Sequence, residues 1–116
     1  MNASELYAIV KDVPKEAWPD ISWCNGAWFE TDRDGLIHRH SLSLEVETSV
    51  LMFEASMMRW LCRTLMAKKG MPHVLVVAPE DDDDRWRVFR SDRTHCIGVE
   101  NTFVEALAAA CKAVAQ

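Results

Sequence analysis

The chain has 116 residues, 49% hydrophobic and 27% charged, the balance of a single globular domain that buries roughly two thirds of its unfolded surface without disulfide or metal support. No apolar run approaches the ~18 residues that span a bilayer and no basic-then-apolar leader opens the chain, so no membrane partner is expected and the cytoplasm is the expected compartment. With 13 Lys and Arg against 18 Asp and Glu, the net charge of -5 argues against direct nucleic-acid binding founded on phosphate contacts, and for steering toward basic surfaces.

Asn2 and Glu5 stand in capping-box spacing ahead of Leu6, Ile9, Val10 and Val13, which recur at helical intervals until Pro14, so a short first helix is predicted. Lys15 to Asp20, interrupted by Pro19, reads as a connector. Ile21 to Glu30, which holds Trp23, Trp28 and Phe29, reads as one strand bulged at Gly26. Thr31-Asp32-Arg33-Asp34-Gly35 has the chemistry of a tight reversal, because Asp and Gly accept the backbone angles it needs. Beyond it Leu36, His38, His40, Leu42 and Leu44 alternate with Ile37, Arg39, Ser41 and Ser43, the pattern of a half-buried strand with both histidines on its apolar face.

The longest predicted element is a helix from Thr48 to Lys69, closed by Gly70 with Pro72 beyond. At about 100° per residue, Val50, Leu51, Phe53, Met57, Met58, Trp60, Leu61, Cys62 and Leu65 occupy most of its circumference, leaving Ser56, Arg59 and Arg63 as a polar stripe. So wide an arc is covered on more than one side, either by another element or by a second subunit, and a homodimer through this helix is one expectation. Its methionines would suit an adaptable helix-to-helix contact. His73 to Ala78 is apolar on both alternations and reads as a central strand, Trp86 to Arg90 alternates as a strand nearer an edge does, and Thr94 to Val99 adds another. Thr102 and Glu105 repeat the capping-box spacing before a last helix, with Phe103, Leu107, Ala110, Cys111 and Val114 on one face. The fold class read from this order is α+β: one domain over residues 1–116, an antiparallel sheet of about four to five strands packed with three helices.

Between two predicted strands lies Glu80-Asp81-Asp82-Asp83-Asp84. Five adjacent carboxylates cannot be buried together, since one unpaired buried charge already costs several kcal/mol, so the run is a solvated hairpin tip and a candidate acidic surface for a protein partner. Consecutive aspartates on an extended chain point in opposing directions, and the run lacks the glycine and the spacing of a calcium loop. Arg85, Arg87, Arg90 and Arg93 around Trp86 and Phe89 mix base and aromatic as single-strand binders do, but the adjoining carboxylates repel phosphate, and pairing across the hairpin is expected instead. Five tryptophans, Trp18, Trp23, Trp28, Trp60 and Trp86, are many for this length. Trp18 beside Pro19 and Trp28 beside Phe29 cannot all turn inward on an alternating strand, so Trp18 and Trp28 join the tip as candidate contact residues.

His38 and His40, two apart on a strand, project to one side and are the best metal-like pair; a site needs His73, His95, Cys96 or Glu54 to converge on them, and Glu54, from the apolar sector of the long helix, completes the constellation. It supports an alternative reading as a metal-assisted hydrolase; the bland reading is that these groups satisfy one another between strand and helix. Cys24, Cys62, Cys96 and Cys111 are widely separated with no Cys-x-x-Cys pair, and are expected to be free, buried thiols of a reducing compartment. Gly-x-Ser-x-Gly, a phosphate-cradling glycine loop and His-Glu-x-x-His are all missing from the sequence, so no enzyme class and no cofactor is expected.

The stretch from Trp86-Arg87-Val88-Phe89 through a polar turn to Thr102-Phe103-Val104-Glu105-Ala106-Leu107-Ala108-Ala109-Ala110 resembles small phage proteins of the α-β-α sandwich type, over roughly the last third of the chain. The resemblance implies a phage or prophage accessory protein and carries no catalytic residue with it. The expected function is non-enzymatic binding of another protein, in its sharper form as an acidic inhibitor of a host defence or nucleic-acid-handling protein.

Overall fold

The structure, a computed structural model, describes residues 1–40, 43–69, 74–80, 83–90 and 95–116. Helix α1 (Ala3–Val10) starts where the Asn2 side chain accepts the N–H of Glu5 at 2.8 Å, as the capping spacing predicts, and it turns Leu6 and Val10 into the core. A single 3₁₀ turn at Lys15–Ala17 follows Pro14 and leads into β1 (Ile21–Cys24).

β1 and β2 (Ala27–Thr31) are two strands, where the sequence suggested one strand bulged at Gly26. Asn25 at φ 50° and Gly26 at φ 80° both occupy the left-handed region, which is what a two-residue hairpin reversal demands, and the register pairs Cys24 with Ala27 and Trp23 with Trp28. The second reversal falls as expected. Asp32 Oδ1 accepts the N–H groups of Asp34 (2.9 Å) and Leu36 (2.8 Å), Gly35 takes φ 82°, and β3 (Ile37–His40) pairs back on β2. β3 stops at His40 instead of reaching Leu44, because the chain is already helical at Ser43.

Helix α2 (Ser43–Lys69) therefore begins earlier than the predicted Thr48. Val46, Ser49, Phe53, Met57, Leu61 and Leu65 are buried along one face, at spacings of three and four, while Leu51 and Met66 are exposed. Val50, Met52, Met58 and Trp60 are half-buried and also pack against the core, so the chain's own elements cover much of this helix and leave Leu51 and Met66 as its exposed large apolar residues.

β4 (Val74–Val77), β5 (Trp86–Arg90) and β6 (Cys96–Glu100) form a second antiparallel meander, bulged between Val88 and Phe89. The single sheet of four to five strands resolves into two sheets of three, β1-β2-β3 and β4-β5-β6, with the 27-residue α2 between them in the chain. β5 is the central strand of its sheet and β4 an edge, the reverse of the expectation. β4 is apolar on both alternations without a strand on each side: Val74 packs on the hydrophobic core, and Val76 and Val77 are half-buried.

Helix α3 (Phe103–Ala115) opens on the predicted cap: Thr102 Oγ1 accepts the N–H of Glu105 and donates to the Glu105 carboxylate at 2.8 Å. Small side chains let it lie close to β6, where a Cβ added to Gly98 would sit 2.3 Å from the Ala106 carbonyl oxygen. Val104, Ala106, Leu107, Ala108, Ala110 and Cys111 are buried on it. α3 touches α1, α2, β5 and β6, and so ties both halves of the chain into one core.

Candidate functional site

The β4–β5 hairpin ends in the acidic run, at the tip where the sequence placed it. Glu80 and Asp83 exchange backbone N–H to carbonyl bonds, both at 2.9 Å, closing a turn whose two intervening residues, Asp81 and Asp82, lie outside the described residues. Asp83 Oδ1 accepts the backbone N–H of Arg85 (3.1 Å) and its Nε–H (3.2 Å), and Oδ2 accepts from Arg87 Nη2. The Arg85 backbone bond, then the Arg85 side chain and the two guanidinium charges, hold the Asp83 carboxyl below the usual carboxylate range. Asp83 is thus a brace, a role that its acidic neighbours hid in the sequence. Arg85 and Arg87 pair with Asp83 on their own arm of the hairpin, and Arg93 lies outside the described residues. Glu80 and Asp84 are exposed and have no ion-pair partner among the described residues.

Beside the tip is a cleft of about 260 Å³, lined by Val77, Ala78 and Phe89 as well as Glu80, Asp83, Arg85 and Arg87. The Nε–H of Arg87, one of the lining residues, is buried and has no hydrogen-bond partner among the described residues.

The two tryptophans proposed as contacts lie elsewhere. Trp28 is 0% exposed: its ring meets Tyr7, Trp18, Trp23 and Phe53, and its Nε1–H donates to the Ala3 carbonyl at 3.2 Å. It belongs to the core, because the two-residue reversal at Asn25-Gly26 folds its strand back over α1. Trp18 is half-buried, edge-on to Phe53, and the Lys15 ammonium lies 3.3 Å from its ring centroid. Trp28 is thus closed to any partner, while Trp18 keeps part of its surface exposed.

The described members of the metal-like constellation have separate surroundings. His38 is exposed and donates from Nε2 to Asp32 Oδ2 at 2.7 Å, so its partner is the turn carboxylate and not the helix. The His40 side chain lies outside the described residues. Glu54 is half-buried on α2, and burial pushes its carboxyl above the usual range. Among the described residues no three of His, Cys, Asp and Glu are grouped so as to hold a metal ion. The four thiols are free; Cys24 and Cys96 are exposed, contrary to the expectation of buried thiols, while burial pushes the Cys111 thiol up to about 12.

The Asp32–His38 pair gives a testable titration. The hydrogen bond from His38, then that from the Leu36 N–H, lowers the Asp32 pKa from 3.8, so whatever stability it contributes is present above 3.8 and lost as pH falls through the lower folded value. Carboxyl NMR titration should place the Asp32 midpoint below 3.8, and His38→Ala should move it upward. A midpoint indifferent to that substitution would contradict the pair.

No helix among the described residues is long and apolar enough to cross a membrane. Comparison with protein-family models, curated proteins and solved structures returned no match.

Proposed function

We propose that this chain is a non-enzymatic accessory protein of the phage or prophage type, which acts by docking its acidic tip on a basic surface of another protein. In the sharper form of the proposal, the partner is a host defence or nucleic-acid-handling protein whose basic surface the tip occupies. The reading rests on one observation: the turn is locked by the Glu80–Asp83 backbone pair and by the arginines on Asp83, while Glu80 and Asp84 are left facing water. Flanking residues held in this way lose little conformational entropy on binding, and the uncompensated charge of the run steers encounter with a positive surface. The adjoining cleft has an apolar part, Val77 and Phe89, suited to the methylene stem of a lysine or arginine whose head meets the carboxylates.

The test is capture from host lysate by the wild-type chain and by an E80Q/D81N/D82N/D84N variant that keeps Asp83. Exposed charges contribute little to stability and crowded like charges repel, so the variant should melt at the same temperature or slightly higher. It should also fail to retain the protein that wild type enriches. Capture of nothing but further copies of the chain would remove the proposal.

A further inference from the structure

The face of α2 opposite Phe53 has the pattern of a second packing surface, with Met58 on it also packed against the edge of the core. Leu51, Ala55, Met58 and Cys62 follow one another at steps of four, three and four, the spacing of a d-a-d-a seam, on the side of the helix opposite the buried Phe53. Leu51 is 65% exposed and Met66, one turn beyond Cys62, is 54% exposed; Ala55 is exposed, and Met58 and Cys62 are half-buried. Leu51 and Met58 stand at d positions and Ala55 and Cys62 at a positions, so over this stretch two such helices could approach closely with Leu51 and Met58 as knobs, while the next d position, Leu65, is buried in the chain's own core.

The charges beside the seam select the occupant. In the same heptad frame Glu54 takes position g and Arg59 position e of the next heptad, five residues on, and this is the g-to-e′ spacing that joins parallel helices across a coiled-coil interface. Neither residue has an ion-pair partner among the described residues, and Glu54 is half-buried. In an antiparallel pair, g faces g and e faces e, which would set the Glu47 and Glu54 edge against its own copy and the Arg59 edge likewise. Like charges would then face one another on both sides. We propose that the chain forms a parallel two-fold dimer through α2, with Leu51, Ala55, Met58 and Cys62 in the seam and Glu54 of each copy paired with Arg59 of the other. The proposal is independent of the tip reading, and it gives a particle with two acidic tips.

Charge reversal tests it without touching the core. Glu54→Arg or Arg59→Glu alone turns two symmetric attractions into repulsions and should weaken dimerisation by about tenfold or more, read by sedimentation at micromolar concentration. The double variant E54R/R59E should restore it. Because Glu54 is half-buried, Leu51→Arg serves as a second probe: Leu51 is mostly solvent-exposed, so this change should give a monomer with unaltered far-UV circular dichroism. Orientation is read in a C24S/C96S background, where Cys62, at an a position, faces its own copy across the axis. Diamide should oxidise the two thiols to one disulfide, taking up their two protons and two electrons, and yield a covalent dimer. A monomeric wild-type mass overturns the proposal, as does a dimer indifferent to the charge reversals or one that diamide leaves uncrosslinked.

Discussion

Trp28→Ala is expected to cost about 4 kcal/mol, a large share of the roughly 5–15 kcal/mol that holds a domain of this size folded. The ring is 0% exposed and meets four aromatic rings at centroid distances of 5.0 to 6.2 Å. Its removal leaves a cavity among Tyr7, Trp18, Trp23 and Phe53, which lie on α1, the connector, β1 and α2 and cannot all close on it. It also removes the indole N–H that donates to the Ala3 carbonyl and ties β2 to the start of α1. Trp28→Phe should cost less than half as much, since it keeps most of the volume and loses the indole hydrogen bond. Urea unfolding followed by far-UV circular dichroism, which does not depend on the deleted fluorophore, measures both. A loss below about 1 kcal/mol for the alanine variant would mean that this cluster is not the core.

Gly98→Ala is expected to be nearly as damaging, although it adds a single methyl. The new Cβ would lie 2.3 Å from the Ala106 carbonyl oxygen and 3.0 Å from the Ala110 nitrogen, both backbone atoms of α3. Helix and strand must separate, which disturbs the buried contacts of Ala106, Ala110 and Val88. Overpacking of this kind costs about 3 kcal/mol and should lower the melting temperature by about 10 °C. Ala106→Gly would give no relief, because the obstruction is a carbonyl and not a side chain. An unchanged melting temperature would show that α3 does not lie on β6 at this distance.

The parts of the fold legible in the sequence are those fixed by local chemistry. Asn2 with Glu5, and Thr102 with Glu105, announced helix starts because a side-chain acceptor three residues from an orphan N–H is a local arrangement. Asp32 and Gly35 announced a reversal for the same reason. Asn25-Gly26 carried an equally local signal, but the aromatic residues on either side read as one continuous run, and β1 merged with β2. The division into two sheets was not legible, because which strands pair is decided by how α2 and α3 pack. Hydrophobicity alone also misjudged β4, which is apolar on both faces yet lies at a sheet edge. At the tip, composition located the hairpin but could not distinguish Asp83 from its neighbours. Its role depends on a carboxylate reaching Arg85 and Arg87 at once.

The proposed role of the charge at residues 80–84 is in binding and not in folding. Its most direct test is the association rate of the captured partner with wild-type chain and with the E80Q/D81N/D82N/D84N variant, measured over a series of salt concentrations. Wild-type association should be fast at low salt and fall steeply as salt screens the tip, because long-range attraction raises the encounter rate. The variant should associate about tenfold more slowly at low salt, with a nearly flat salt response. Equal rates and equal salt dependence for the two proteins would contradict the claim and leave the acidic run as a solvated turn.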